Sequence, residues 1–341
     1  MIIFFNINHG IRINKFKLLF IFIFLFNFKY EDEQNNYKRN NNIKIALCTM
    51  GKDENLYANE FIKYYINLGV NHLFIYDDND DDEEKINDIM NKEYKKYVTI
   101  YETKKVHINN QTASFTECYN NNKNKFDWFL MLDMDEFLYI VNNTLKGYLS
   151  NKRFNKCDFI KINWVITKDN NLLHYDSRPL FERFKPPYIK SEFVKSIIKG
   201  NISDLKYWVH TPYYSPNKNI TCNNIGRRIY YKKMDFIRLN PINIKLAYII
   251  HFEHKSTEEL IKKLKRGYKN WLKTYTKKFM IDKIMYYLAI NEVTPEKIKY
   301  LENELKLNIT THIKDNNRKN KFYVFIKHLL NFFHKNWILP N

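Results

Sequence analysis

Glycine is scarce in this chain, and the few glycines are spaced in a way that excludes several enzyme classes. The 341 residues include seven glycines, and none form a G-x-G-x-x-G turn, a Walker phosphate loop or a G-x-S-x-G elbow. The H-E-x-x-H pattern of zinc proteases is absent as well. A nucleotide diphosphate bound here would therefore have to be neutralised in some other way, for example by a metal ion.

Cysteine is rare too. The four cysteines, at positions 48, 118, 157 and 222, are too far apart in sequence for a C-x-x-C metal site. Cys48 and Cys157 fall in runs that are typical of buried strands, so we expect structural thiols. The cysteines alone leave the redox compartment of the protein open.

The charge is strongly basic but dispersed. Lysine and arginine total 56 against 37 aspartates and glutamates, a net charge of +19, yet no recognisable nucleic-acid motif or concentrated basic stripe occurs. We therefore expect no nucleic-acid partner, and the charge fits an anionic lipid surface or a negatively charged nucleotide donor. Asparagine is so frequent that glycosylation sequons are expected by chance and do not argue for secretion. They occur at Asn110, Asn142, Asn201, Asn219 and Asn308.

Residues 16–28 form an apolar tract that is preceded by Arg12 and Lys15 and contains Lys17 near its start. The tract is shorter than the ~20 residues of a typical spanning helix, and no small-residue cleavage site follows it. We predict an uncleaved, single-pass signal-anchor, of Golgi or ER type in a eukaryote and associated with the cytoplasmic membrane in a bacterium. The alternative is a first strand or core segment.

From residue 43 onward, buried strand patterns alternate with helical ones. Gly69 follows the first helical pattern at the position where helices commonly end. This alternation predicts an α/β fold with a mainly parallel sheet and helices on both faces. The predicted strands are 43–50, 72–76, 97–102 and 126–132, and the predicted helices are 54–68, 83–91 and 112–119.

The fourth predicted strand runs directly into Asp133, Asp135 and Glu136. In open α/β sheets, ligands bind beyond the carboxyl ends of the strands. Asp133 and Asp135 would lie on the same side of an extended chain, where two carboxylates favour a shared divalent cation such as Mg²⁺ or Mn²⁺. An Asp-x-Asp pair on its own also occurs at solvated strand ends and helix N-termini, so its context has to decide.

Five ordered blocks between residues 43 and 268 supply that context. Together they resemble glycosyltransferase family 92 and the family 2-like glycosyltransferases of the GT-A fold. The blocks are Lys52-Asp53-Glu54 with the helix to Val70, Ile75-Tyr76-Asp77-Asp78, Leu132 to Leu138, the region from Asn163-Trp164 through Arg178 to Phe184 and Lys195 to Ile198, and His251 to Leu260 with Lys263 and Arg266-Gly267.

The resemblance implies a nucleotide-binding GT-A-like sheet and a nucleotide-sugar donor, most often a UDP-sugar, whose sugar moves to a hydroxyl of a glycan or glycoconjugate acceptor. It also implies Mn²⁺ or Mg²⁺ held by Asp133 and Asp135, with His251 as a third ligand. The implied donor-binding residues are Glu54, Asp77, Asp78, Arg183, Lys195, Lys255 and Arg266.

An inverting transfer requires a carboxylate that accepts the proton of the acceptor hydroxyl. We expect this general base to be Asp169, with Glu136 as the second candidate; Asp169 in Lys-Asp-Asn-Asn also fits a simple turn. His254 is expected at the surface. Trp164 is expected either to stack on a sugar ring or, as is commoner, to fill the core.

The last residues, 322–339, have the spacing of an amphipathic aromatic helix that packs on the domain or lies on a membrane. The predicted organisation is thus an anchor and linker over 1–42, a GT-A-like domain over 43–268 and a C-terminal helical extension over 269–341. The rival function is a catalytically inactive, membrane-associated protein of the same fold that binds a glycan or a lipid.

Overall fold

A computed structural model describes residues 43–106, 111–203, 205–208, 210–212, 219–230, 237–266 and 277–318 of the chain. The apolar tract 16–28 and the aromatic segment 322–339 lie outside these ranges, so the predictions for both stay predictions. Among the helices in the described ranges, none is long and apolar enough to cross a membrane.

The first half of the described chain alternates strands and helices as predicted. Four strands run parallel to one another in the order β3-β2-β1-β4. The elements are β1 (Ile45–Gly51), α1 (Asn55–Leu68), β2 (His72–Asp77), α2 (Ile86–Ile89), a 3-10 helix (Lys92–Tyr97), β3 (Val98–Glu102), α3 (Gln111–Asn122) and β4 (Trp128–Met131). The predicted βαβ unit is thereby confirmed, and the helix predicted over 83–91 is shorter than expected.

Helix α1 illustrates how the sequence fixes this local structure. Tyr57, Phe61 and Tyr65 recur every fourth residue, and all three are buried against the sheet. The helix ends as predicted at Gly69, which adopts a left-handed φ of +103° and donates its N–H to the carbonyl of Ile66 at 3.1 Å. The carboxyl end of β1 and the start of α1 are thus held in a fixed position.

The second half of the sheet differs from the prediction. Within the described residues the sheet has nine strands: eight in the order β3-β2-β1-β4-β7-β6-β9-β5, and β8, which also pairs with β6. β7 runs antiparallel to β4 and β6, and β5 runs antiparallel to β9. The elements are β5 (Glu136–Ile140), α4 (Leu145–Leu149), a 3-10 helix (Lys152–Phe154), β6 (Phe159–Ile166), α5 (Leu180–Arg183), β7 (Ile189–Lys199), β8 (Thr221–Asn223) and β9 (Ala247–His251).

The prediction of a mainly parallel sheet is therefore wrong: the fold is mixed α/β, with a mixed sheet flanked by helices. The physical reason lies in burial. A strand covered on both faces is apolar along its whole length, as all eight residues of β6 are buried here, and this pattern carries no information on strand direction. Only the connections distinguish the two arrangements, and α5 is too short for a crossover helix.

The expectation of free structural thiols is also wrong. Cys48 in β1 forms a disulfide with Cys118 in α3, and Cys157 forms one with Cys222 in β8. The Cα atoms are 6.2 Å and 5.8 Å apart. The first bond links the sheet to the helix on one of its faces, and the second fixes the short strand β8 to the segment before β6.

In the described part of the chain, four further helices follow the sheet and share a core of their own. Leu260 and Leu264 of one helix pack with Ile284, Tyr287 and Leu301 of the next two. The helices are α6 (Thr257–Arg266), α7 (Lys277–Ile290), α8 (Pro295–Leu305) and α9 (Ile309–Arg318). The segment 277–318 is thus mainly helical, as predicted, while the domain boundaries themselves stay predictions.

Candidate functional site

The candidate site lies at the edge where β1 and β4 end. Strand β4 stops at Met131, and a turn closed by the N–H of Glu136 and the carbonyl of Asp133, 3.1 Å apart, leads into β5. Asp133 and Asp135 therefore lie in a turn and not on a continuing strand, so the alternation expected of an extended chain does not apply to them. Their side chains contact different cations.

Asp133 contacts a buried lysine. Lys195 Nζ lies 2.9 Å from Asp133 Oδ1 and 3.6 Å from Glu136 Oε1, and its side chain is fully buried. Gln111 also donates a hydrogen bond to Asp133, and the N–H of Asp133 donates to Glu136 Oε2 at 3.0 Å. The side chain of Asp133 is 28% exposed, so it remains open to a ligand on its outer side.

Asp135 contacts the predicted histidine. His251 Nε2, at the end of β9, lies 3.4 Å from Asp135 Oδ1, and Lys263 Nζ of α6 lies 3.4 Å from Oδ2. Burial would raise the pKa of Asp135, but His251 and Lys263 outweigh it and hold that pKa well below its usual range. Burial would lower the pKa of His251, and the charge of Asp135 reverses that shift and raises it.

Glu136 is the least hydrated of the three acidic residues. Burial raises its pKa to about 8, with Lys195 opposing the shift and Asp133 adding to it. Its Oε1 has no hydrogen-bond partner among the described residues. The turn thus concentrates carboxylates whose negative charge is balanced by Lys195, His251 and Lys263.

A basic cleft adjoins this turn between the start of α1 and helix α6. Lys255 Nζ lies 2.8 Å from Glu54 Oε2 and 4.4 Å from the centre of the Tyr57 ring. Arg266 donates to the carbonyl of Lys52 at 2.5 Å. The cleft encloses about 390 Å³. Its lining comprises Asp53, Glu54, Leu56, Tyr57, Glu253, Lys255, Glu259, Leu260, Lys262, Lys263, Lys265 and Arg266.

Arg183 lies behind this cleft and is buried. Its guanidinium donates to the hydroxyl of Tyr57 at 3.1 Å and is 3.9 Å from Glu259 Oε2. The rings of Tyr57, Tyr175 and Phe184 surround it, with centroids 5.0–5.7 Å from Cζ. Arg183 therefore supports Tyr57 in the wall of the cleft, and its predicted contact with the donor stays a prediction.

Asp77 is the last residue of β2, and Asp78 follows it at the same edge of the sheet. Asp77 is buried and accepts hydrogen bonds from the N–H groups of Asn79 and Ile86, at 3.0 and 2.7 Å. Asp78 accepts one from the hydroxyl of Thr103 at 2.6 Å. These contacts shape the loop after β2, and the predicted nucleoside contact of the two aspartates is a separate, open prediction.

Asp169 is not brought together with the carboxylates of the turn. Its carboxylate is 1% exposed, forms an ion pair with Lys297 of α8 at 2.7 Å and accepts a hydrogen bond from the hydroxyl of Tyr287 of α7. The backbone N–H of Asp169 donates a hydrogen bond to Asn291 Oδ1, with 2.7 Å between the nitrogen and the oxygen. Asp169 thus ties the loop after β6 to the C-terminal helices.

Two other predictions concern aromatic rings. His254 was expected at the surface, but it is buried against Tyr286 and Tyr287, and burial lowers its pKa to about 4. Trp164 is buried as well, and its ring lies 4.4 Å from that of His251 and 5.0 Å from that of His210. Trp164 therefore fills the core beside the site and holds the ring of His251 in place.

The oxygen and nitrogen atoms of Asp133, Asp135 and His251 are of the kinds that bind a divalent cation, but the three side chains do not converge on one point. Within the described ranges, no three His, Cys, Asp or Glu side chains form a cluster that could hold a metal ion. Asp135 and His251 are nevertheless 3.4 Å apart, close to the about 3 Å between neighbouring ligands of one octahedral ion. His251 Nδ1 has no partner in the described part of the chain.

Sequence reasoning missed several residues of the site. Gln111 contacts Asp133 from the first turn of α3, and no local pattern indicated this contact. Lys263 belongs to the last block of the family resemblance, but its contact with Asp135 was not predicted. Tyr57 and Glu259 form a hydrogen bond across the cleft. Their pairing spans most of the described chain, so no local pattern could have indicated it.

The fold and the site together define an α/β protein with an acidic turn and a basic cleft at the carboxyl ends of its parallel strands, the usual position of a ligand site in such sheets. The family model of glycosyltransferase family 92 matches residues 42–309. The chain therefore belongs to glycosyltransferase family 92.

Curated relatives match a shorter part of the chain. A family 92 protein of Oryza sativa subsp. japonica is 32% identical over 110 residues, which is 31% of this chain and 18% of that protein. A family 92 protein of Arabidopsis thaliana is 30% identical over 106 residues, covering 30% of this chain and 18% of the relative. One of Ricinus communis is 34% identical over 107 residues with the same coverage. The matched segments span about a fifth of each relative.

Proposed function

We propose that this protein is a glycosyltransferase that transfers a hexosyl group from a nucleotide sugar, a UDP-sugar, to a hydroxyl of a glycan or glycoconjugate. Membership of family 92 supports the reaction class. The donor, the metal and the stereochemistry are our proposals. The observation that carries them is the pairing of the Asp133–Glu136 turn with a cleft rich in lysine and arginine at the same edge of the sheet.

The basic residues of the cleft would bind the donor diphosphate. Lys255, Lys263 and Arg266 all line it, and charge-assisted hydrogen bonds to phosphate are stronger than neutral ones. Glu54, which pairs with Lys255, would accept a hydrogen bond from a hydroxyl of the nucleoside. Asp133, Asp135 and His251 would hold Mn²⁺ or Mg²⁺. Once bound, the ion would stabilise the negative charge that develops on the leaving diphosphate.

In the transfer, the oxygen of the acceptor hydroxyl forms a bond to the anomeric carbon of the sugar. The bond between that carbon and the donor phosphate oxygen breaks, and the nucleoside diphosphate leaves with the electron pair. With inversion, the proton of the hydroxyl passes to a carboxylate. Glu136 is our candidate, because it belongs to the turn and its Oε1 accepts no hydrogen bond from the described residues. Asp169 is buried to a similar degree, and its carboxylate is already bound by Lys297 and Tyr287.

The two disulfides support a location in an oxidising compartment, since such bonds persist in secretory lumens and are rare in the cytosol. A luminal catalytic domain behind an N-terminal signal-anchor would meet this condition. The anchor itself remains a proposal, because residues 16–28 lie outside the described part of the chain.

Calorimetric titration of the full chain with UDP and with GDP, each with and without Mn²⁺, tests the donor and the metal. We expect UDP to bind only with Mn²⁺. Combining Asp133→Asn with Asp135→Asn should weaken that binding by about 10²-fold or more, because both proposed carboxylate ligands are lost. Release of UDP from UDP-sugars then measures the chemical step.

Glu93→Gln is the matched control for these titrations. Glu93 is an exposed acidic residue before β3, at the opposite edge of the sheet, so its loss should leave UDP binding unchanged. UDP binding that needs no metal would refute the proposed metal. Absence of nucleotide binding under every condition would instead favour an inactive protein that binds a glycan or a lipid.

A further inference from the structure

The disulfides indicate a compartment in which the sequons of this chain could be glycosylated. All four cysteines are within the described residues, and none of them is free. Disulfides of this kind form in oxidising compartments such as the ER lumen, where asparagine side chains in Asn-x-Ser/Thr are modified. A chain that acquires these bonds there would expose its sequons to the same machinery.

The structure divides the sequons into two groups. Asn142, Asn201 and Asn308 are exposed. Asn219 is only half-buried, but its hydroxyl partner Thr221 lies in β8 with 1% exposure. The fifth sequon, at Asn110, lies outside the described residues. A glycan needs open solvent around its asparagine, so three of the four described sequons meet the steric requirement.

The backbone conformation and hydrogen bonds of the exposed sequons also favour modification. Asn142 and Asn201 occupy turns and have left-handed φ angles of +52° and +61°, and in the described part of the chain their side chains form no hydrogen bond. Asn308 precedes α9, where its Oδ1 accepts hydrogen bonds from the N–H and hydroxyl of Thr311 at 3.1 and 2.9 Å. Those bonds leave the amide nitrogen, which would be modified, available.

We propose that Asn142, Asn201 and Asn308 are N-glycosylated and that Asn219 is not. In each case the amide nitrogen forms a bond to the anomeric carbon of an oligosaccharide carried on a lipid diphosphate. The bond from that carbon to the phosphate breaks, the lipid diphosphate leaves, and the amide releases a proton. This inference goes beyond the proposed transferase reaction, because here the protein is the acceptor.

The glycan on Asn142 would also have a structural effect. Asn142 follows β5, which is the last strand in the order of the sheet. Open sheet edges favour pairing with other chains, and proteins commonly cover them. A bulky hydrophilic glycan beside β5 would oppose such pairing.

The test is expression of the full chain in the secretory pathway of a eukaryotic cell, followed by peptide mass spectrometry after treatment with peptide-N-glycosidase in ¹⁸O-water. We expect ¹⁸O-labelled aspartate at positions 142, 201 and 308 and unmodified Asn219. Each single variant should lose one glycan and migrate faster in a denaturing gel by the corresponding mass. The variants are Asn142→Asp, Asn201→Asp and Asn308→Asp. Aspartate also tolerates a left-handed φ, so these variants retain the local fold.

Thr144→Ser is the matched control, because it keeps both the sequon and the hydroxyl that caps α4 through the N–H of Gly147. Asn142 should still be modified in this variant. Unmodified asparagine at all three positions would overturn the inference, whether or not the cysteines are oxidised. Modification of Asn219 alone would overturn it as well.

Discussion

Two regions of this protein place a lysine against carboxylates, yet they differ in what surrounds the pair. At the turn after β4, Lys195 lies between Asp133 and Glu136, and the side chain of Asp133 is 28% exposed. After β6, Lys297 pairs with Asp169, and both side chains are enclosed. The first arrangement remains open to a ligand, while in the second the carboxylate of Asp169 also accepts hydrogen bonds from the hydroxyl of Tyr287 and the N–H of Asn171.

The difference separates two uses of a charged pair. A buried pair whose remaining positions are filled by hydrogen bonds fixes elements relative to one another, here the loop after β6 and helices α7 and α8. A pair whose carboxylate is partly exposed, as that of Asp133 is, can still bind a ligand on its open side. A lysine–aspartate pair thus stabilises the fold after β6, where Lys297 pairs with Asp169. At the turn after β4, where Lys195 pairs with Asp133, it forms part of the proposed active site.

The largest effect should come from breaking the enclosed pair. Lys297→Met leaves the carboxylate of Asp169 buried without its cation, which should lower the free energy of unfolding by about 3–5 kcal/mol. Urea unfolding monitored by circular dichroism measures it. Lys299→Met is the matched control, because Lys299 is exposed on the same helix, and it should leave stability unchanged.

A double variant sharpens this test. Asp169→Asn removes the charge that Lys297→Met would leave unpaired, so the combined variant should be less destabilised than the sum of the two single ones. If Lys297→Met is as harmless as Lys299→Met, the enclosed pair does not fix the C-terminal helices.

The corresponding change at the turn should cost less. Lys195→Met removes the cation between Asp133 and Glu136. Asp133 reaches solvent and can be hydrated, and the buried Glu136, with its pKa raised to about 8, can be neutralised by a proton, so we expect a loss of about 2 kcal/mol. The same urea measurement applies. A loss equal to that of Lys297→Met would show that the two regions do not differ in the way their exposure suggests.

Local signals predicted the first half of the fold well. The apolar strand runs and the helix end at Gly69 depend on neighbours in sequence, so β1, α1 and β2 lie within a few residues of their predicted bounds. Strand direction in the second half was predicted wrongly, because a buried strand such as β6 has the same pattern in either direction.

The site was harder to predict because its contacts are distant in sequence. The run Asp133–Glu136 was visible as charge at a strand end, and its contacts with Lys195 and His251 involve residues that the family resemblance had indicated. The pairing of Asp169 with Lys297 had no local signal, since Lys-Asp-Asn-Asn fits a turn equally well. The disulfides join cysteines separated by 70 and 65 residues, which sequence spacing cannot pair.

A third change addresses the outer carboxylate of the turn. Asp133→Asn should alter the free energy of unfolding by less than ~1 kcal/mol, because the side chain is partly exposed and can keep its hydrogen bond with Gln111. We expect the same variant to lose Mn²⁺-dependent UDP binding. Stability curves and titrations on one preparation separate the two effects, and a variant that unfolds as readily as Lys297→Met would assign Asp133 a structural role.

The smallest effect is expected at an exposed pair with the same geometry as the enclosed one. Lys265 Nζ lies 2.7 Å from Glu304 Oε2, the distance also found between Lys297 and Asp169, but its partners are 50% and 42% exposed. Water and salt screen such pairs, so Lys265→Met should leave the free energy of unfolding unchanged within the error of urea denaturation. A clear loss would mean that distance alone, and not burial, decides what a charged pair contributes here. The contrast between the enclosed pair and the turn would then have to be explained by their hydrogen bonds.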